Sequence, residues 1–138
     1  MLRTPGARAR EQTARERAWE VLEWVGLAHK ARDRVKHLSY GQRKRVEFSR
    51  ALAIRPKVLV LDEPMAGISL DETDVILDLM RQTARTLAVG IVFIEHRLEL
   101  VWPVCDRITV LSAGREVLTG SPDEVQKHAE VRRAYLGE

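Results

Sequence analysis

Leu38-Ser39-Tyr40-Gly41-Gln42, followed after a helix-length interval by Val58-Leu59-Val60-Leu61-Asp62-Glu63-Pro64, sets the architecture of this chain. The first piece places a small hydroxyl residue, a glycine and an amide where a helix begins. A helix N-terminus presents unpaired backbone N–H groups and the positive end of the macrodipole to an anion. Ser39 can cap that end or donate its hydroxyl to a ligand, and Gly41 lets a ligand approach the backbone closely. The second piece is an apolar run of four, as in a strand buried on both faces of a parallel sheet. Ligands bind beyond the carboxyl ends of such strands, so Asp62 and Glu63 should emerge at a site.

Working outward, residues 1–10 have no apolar period and are expected to be loose. From Glu11 the pattern turns helical, with Ala14, Ala18, Val21, Leu22 and Val25 on one face and Gly26 as the stop. Residues 27–37 read as a connector with one helical turn. Residues 43–54 form an amphipathic helix with Val46, Phe48, Ala51, Leu52 and Ile54 on its apolar side, ended by Pro56. Ser69-Leu70-Asp71-Glu72 matches a capping box, which starts a helix over 70–87 with Val75, Ile76, Leu79 and Met80 inward.

After Gly90, residues 91–94 form a second apolar strand that leads into Glu95 and His96. Two strands separated by a helix make a parallel βαβ unit. A short helix over 97–103 stops near Pro103, and strands at 107–111 and 116–119 flank Ser112-Ala113-Gly114-Arg115, a hairpin signal. Ser121-Pro122-Asp123-Glu124 opens another capped helix, and 131–138 is helical before fraying. The expected fold is α/β with a mostly parallel sheet and flanking helices. It divides into a loose basic N-terminus (1–10), a helical part ending in the helix after Gln42 (11–54), and an α/β part with a C-terminal hairpin and helices (55–138).

At 138 residues the chain suits one domain. Hydrophobic residues at 45% and charged residues at 31% argue against wholesale disorder. No apolar run approaches the roughly 20 residues of a membrane span, and the N-terminal arginines precede no apolar segment. The net charge of +3 suggests nucleic acid, but the few aromatics do not interleave with the basic residues as a stacking surface requires. The single cysteine, Cys105, permits no internal disulfide, so a reducing compartment is expected and the thiol reads as a small packed residue.

Each piece alone has a plain structural explanation. Two acids can be solvated at a sheet edge, a histidine after an apolar strand can be a packing residue, and Leu-Ser-x-Gly-Gln can arise by chance. Their order and spacing together are what point to a site.

The chain resembles the C-terminal half of an ATP-binding-cassette (ABC) ATPase, a partial P-loop NTPase domain, over nearly its whole length. Leu38, Ser39, Tyr40, Gly41 and Gln42 resemble the family's signature loop, and the strand ending in Asp62 and Glu63 resembles its Walker B strand. Ala66, Gly67, Ile68 and Ser69 stand at the D-loop, and His96 at the switch histidine. Within the family the run from Leu38 to Leu52, Asp62-Glu-Pro-Met-Ala-Gly67, Ile94-Glu-His96 and the ending Arg133-Ala-Tyr-Leu-Gly-Glu138 are most similar to ATPases of branched-chain amino-acid importers. Urea importers and lipopolysaccharide exporters carry related endings.

The resemblance implies the cofactors ATP and Mg²⁺ and a set of roles. Asp62 would hold Mg²⁺ through water, Glu63 would orient or deprotonate the attacking water, and His96 would sense the γ-phosphate. Ser39, Gly41 and their helix would clamp the γ-phosphate of a nucleotide held by a second ATPase subunit, identical or not. Asp62, Glu63 and His96 are thus expected to converge at one sheet rim, with Ser39 on an outward tip. The resemblance also implies transmembrane permease subunits as partners, a place on the cytoplasmic face of the inner membrane, and permease contact through the arginine-rich first helix. No nucleic-acid partner is expected.

Four departures matter. Tyr40 replaces a common glycine, Ser69 stands where many D-loops place aspartate, and Arg97 follows the histidine where an acid is usual. A phosphate cradle G-x-x-x-x-G-K-[ST] is missing, since none of the eight glycines precedes a lysine. The chain is therefore expected to be a fragment with exposed apolar strand edges, inactive by itself and weak or silent toward ATP. Two alternatives stand beside a transporter ATPase: a non-catalytic half-domain that docks on a permease or partner ATPase and lends its signature loop, and a DNA-repair ABC ATPase head. The last needs long heptad coiled coils, which the sequence does not display.

Overall fold

The computed structural model describes residues 5–133. They fall into two compact units that divide between Ile94 and Glu95.

The first unit opens with helix α1, Pro5–Trp24, so residues 5–10, expected to be loose, are helical. Local side-chain pairs support the turn where an apolar face is lacking. Arg15 pairs with Glu11 at 2.9 Å and Gln12 donates to Glu16 at 2.8 Å, both four residues apart. Ala14 and Ala18 are exposed, against expectation, and burial is complete only at Val25 and Leu27. The connector holds two 3₁₀ turns, Ala28–Lys30 and Val35–His37, rather than one.

Helix α2, Tyr40–Ala53, packs on α1, and Arg45 donates to the Val25 carbonyl at 3.2 Å, satisfying an acceptor left open past the end of α1. Its buried face is Gly41, Phe48, Ser49 and Leu52. Ile54, expected inward, is 79% exposed because it follows the helix as its C-cap, where Arg55 turns the chain left-handed (φ +53).

Strand β1 (Val58–Asp62), helix α3 (Leu70–Thr86) and strand β2 (Gly90–Ile94) form the expected parallel βαβ unit, in register from Val58 opposite Gly90 to Asp62 opposite Ile94. Helix α3 buries Thr73, Ile76, Leu77, Met80 and Thr83, the i, i+3, i+4, i+7 stripe of an amphipathic helix. Val75 lies off that stripe and is exposed, while Leu77 takes the inward place. Trp24 Nε1 donates to Thr83 Oγ1 at 3.0 Å and ties α1 to α3.

One face of the strand pair is apolar and uncovered. Val58, Val60, Val92 and Ile94 are each more than half exposed, whereas Leu59 on the opposite face of β1 is buried. Burial on both faces is the expectation for β1, and only one face is covered here.

In the second unit, helix α4 (Leu98–Val101) is shorter than expected. Strands β3 (Ile108–Ser112) and β4 (Arg115–Gly120) make an antiparallel hairpin that is a sheet of its own. Its two-residue loop, Ala113 (φ +48) and Gly114 (φ +76), has the double positive φ of a type I′ turn, which matches the twist of the strands. Helix α5 (Pro122–Lys127) packs on both strands and α6 (Ala129–Val131) follows. Leu100, Val101, Ile108, Val110, Val125 and Val131 are the buried hydrophobic residues of this unit. The rest of the expected helical tail, from residue 134, lies outside the described residues, as do residues 1–4.

Candidate functional site

Ser39 is the N-cap of α2, and its geometry follows from the residue types. Its Oγ accepts from Gln42 N at 3.1 Å while Gln42 Oε1 accepts from Ser39 N at 3.0 Å, a reciprocal capping box. Leu38 is buried and anchors the loop, so Ser39 and Tyr40 are presented outward. Arg43 and Lys44 stand 5.5 Å and 5.8 Å from the Tyr40 ring centroid, holding cationic heads beside the first turn. No acidic residue lies in that first turn of α2.

The expected capping box at Ser69 is only half formed. Ser69 Oγ accepts from Glu72 N at 3.4 Å, but the Glu72 carboxylate turns to Ser39, accepting from its Oγ at 2.9 Å. Residues 38–42 and the start of α3 are joined by this bond. They are joined again at Gly67, which has φ +74 and faces the Tyr40 ring. Residues 38–42 and 66–69, noted separately in the sequence, are therefore one cluster.

Asp62 ends β1 and is exposed. Glu63 follows in a left-handed conformation (φ +43), which a non-glycine residue adopts at a cost and which is common where backbone strain serves a site. The conformation is pinned from both sides. Glu63 N donates to Ile94 O at 3.0 Å, and Ala66 N donates to Glu63 O at 3.0 Å. Met65 is fully buried and holds the turn down. Beside β1 lies a cleft of about 190 Å³ lined by Lys44, Phe48, Val60, Asp62, Pro64 and Ile76.

Among the described residues, no group of three or more His, Cys, Asp or Glu side chains could hold a metal ion. Asp62 alone fits Mg²⁺ only in the way that ion is often bound, through one carboxylate with water and phosphate oxygens filling the remaining positions.

His96 belongs to the second unit, where it is exposed and precedes α4. Its neighbours Glu95 and Arg97 are paired at 3.9 Å, so the unusual cation after the histidine has a carboxylate partner. Cys105 has its thiol pushed up to about 11, first by burial and then by the Asp106 carboxylate, and it stays protonated at neutral pH. That agrees with a packed residue rather than a nucleophile.

The residue that sequence reasoning missed is Glu72. Its position in Ser-x-x-Glu marked it as a local cap, and only the approach of α2 to α3 redirects it.

A family model described as ABC transporter matches residues 3–66, and one described as branched-chain amino acid ATP-binding cassette transporter matches residues 117–138. LivG of Salmonella typhimurium, a high-affinity branched-chain amino acid transport ATP-binding protein, is 36% identical over 138 residues, covering 100% of this chain and 54% of LivG. MetN of Burkholderia thailandensis, a methionine import ATP-binding protein, is 42% identical over 120 residues, 86% of this chain and 35% of MetN. The ADP conformation of MJ1267, an ATP-binding cassette of an ABC transporter, superposes with a TM-score of 0.80 at 32% identity, covering 91% of this chain and 50% of MJ1267. The chain spans about half the length of the curated relatives it matches. Likeness along the full chain, together with the shared fold, is to the ATP-binding domain of ABC transporters.

Proposed function

We propose that this chain is the signature-loop and Walker B portion of an ATP-hydrolysing subunit of an ABC importer for branched-chain amino acids. The observation that carries the reading is the pair Asp62 and Glu63 at the carboxyl end of a parallel strand pair, with Glu63 held left-handed by its bond to Ile94. Magnesium, when bound with ATP, neutralises charge on the phosphates. Asp62 would hold the ion's water shell, and Glu63 would orient the attacking water and accept its proton. His96 would bond the γ-phosphate, and Ser39 with the start of α2 would meet the phosphate of a nucleotide carried by a second subunit. Permease subunits at the cytoplasmic face of the inner membrane are the partners in this reading. The arginine-rich α1 would face the permease, and loss of permease binding on Arg15→Glu with Arg17→Glu tests that contact.

Branched-chain specificity rests on likeness to LivG along the whole chain, against a shorter span for MetN. Phosphate release is the direct test, measured on the chain alone and on the chain mixed with the part of LivG that it does not cover. We expect no release from the chain alone, release from the mixture, and loss of that release on Glu63→Gln. Release that survives Glu63→Gln overturns the assignment.

A second reading is a half-domain that lends its signature loop to a complete ATPase, favoured by the outward presentation of Ser39 and Tyr40 beside the buried Leu38. Stimulation of a complete partner ATPase by this chain, lost on Ser39→Arg, supports that reading. Hydrolysis by the chain alone excludes it.

A further inference from the structure

We propose that Glu72 is a resident anion that occupies the signature-type loop and must be displaced before a phosphate can engage Ser39. The inference rests on the reading above, in which residues 38–42 receive a phosphate group. The Ser39 hydroxyl has one proton and one established acceptor duty. Its oxygen already takes the Gln42 N–H, and its proton goes to Glu72 Oε1 at 2.9 Å. A phosphate oxygen that is to receive a bond from Ser39 therefore competes with Glu72 for the same proton.

The carboxylate also fills the clearing that glycine creates. A Cβ added at Gly41 would overlap the Glu72 carboxyl group, although Gly41 itself is buried and lies in the first turn of α2. Hydroxyl proton and glycine clearing are the two features a phosphate would use, and one side chain takes both. Nothing in the first turn of α2 supplies an acid, so the negative charge at this helix start comes from α3. Glu72 follows the D-loop residues by three positions, which makes release of Ser39 a local event in the turn between β1 and α3.

The test uses the full chain and inorganic tripolyphosphate as the probe, read at the backbone amides of residues 39–42 by heteronuclear NMR. Glu72→Gln keeps the side chain's size and removes its charge, Glu72→Ala empties the clearing, and the same spectra report whether each variant is folded. Asp71→Asn removes one neighbouring charge without touching Ser39. Wild type should bind weakly, Glu72→Ala should bind about tenfold more tightly, the scale of one charge-assisted hydrogen bond released, and Glu72→Gln, which keeps an acceptor for Ser39 but loses the charge, should fall between the two. Asp71→Asn should change little. Binding by the Glu72 variants that equals or falls below wild type, or an equal gain from Asp71→Asn, overturns the proposal. Ser39→Ala separates the two claims. If it weakens binding while the Glu72 variants show no gain, the latch alone fails. If it leaves the amide shifts unchanged, or if no variant responds to the probe, the phosphate-receiving role of this loop fails and takes the latch with it.

Discussion

The Tyr40 ring lies against Gly67: a Cβ on Gly67 would stand 3.3 Å from Tyr40 Cε1, and the glycine itself has φ +74. An aromatic residue where the family often has glycine thus packs on a second glycine, 27 positions later in the chain, and couples the two loops mechanically.

Gly67→Ala should destabilise the chain by about 1–2 kcal/mol, from the left-handed backbone alone, with the tight Tyr40 contact adding to it. Urea unfolding checks this. In a Tyr40→Gly background the cost should shrink toward the backbone part, and an undiminished cost would show that the ring contact is passive.

The bond from Trp24 to Thr83 crosses from α1 to α3, and Thr83 is fully buried. Trp24→Phe should cost about 1–2 kcal/mol because a buried hydroxyl loses its partner. Adding Thr83→Val should recover part of that loss in a double-mutant cycle, since the orphaned group is then gone.

Glu124 should give unit 2 an acid-sensitive helix. Its carboxylate accepts from Ser121 N at 2.7 Å and Ser121 Oγ at 2.8 Å, and these bonds, aided by Arg107, hold its pKa below the ordinary carboxylate value. A depressed folded pKa contributes stability that is present above the unfolded pKa and is lost as pH falls through the folded one. Amide protection in α5 should therefore drop on acidification from pH 5 downward, and Glu124→Gln should flatten that limb.

Cys105 should resist alkylation at pH 8 in the folded chain and react rapidly once unfolded. Its folded pKa of about 11 lies above the unfolded thiol value, so the associated stability is complete below the unfolded pKa and is lost as pH rises through about 11. Labelling by a maleimide at pH 7 to 10 follows both. Reaction at the unfolded rate at pH 8 would contradict the burial.

The uncovered face of the β1–β2 pair should make the chain self-associate. Val60 and Val92 are opposite each other and both are more than half exposed. Val60→Thr with Val92→Thr keeps β-branching, so stability should change by less than about 0.5 kcal/mol per site. Sedimentation should show less association than in wild type, because a contiguous apolar surface is broken.

Much of this was legible one element at a time. Ser39 with Gln42 announces a helix start because capping is local, and the β-branched apolar runs before Asp62 and before His96 announce strands because such side chains fit a pleated backbone. The hairpin needed only Ala113-Gly114. Helix α1 was misjudged at its beginning, where the Arg10 side chain donates to the Gly6 carbonyl at 3.3 Å in place of an apolar face.

What the chain by itself determined, then, is most of what depends on neighbours within one turn or one strand: the caps at Ser39 and Ser121, the breaks, the periodicity, and the pairing of two acids at a strand end. Only the tertiary structure decided where Glu72 points, that Tyr40 meets Gly67, that Val75 faces out, and that Glu63 sits left-handed against Ile94. Each of those depends on how closely two distant segments approach, a distance set by the packing of whole helices and strands and recorded in no short stretch of residues.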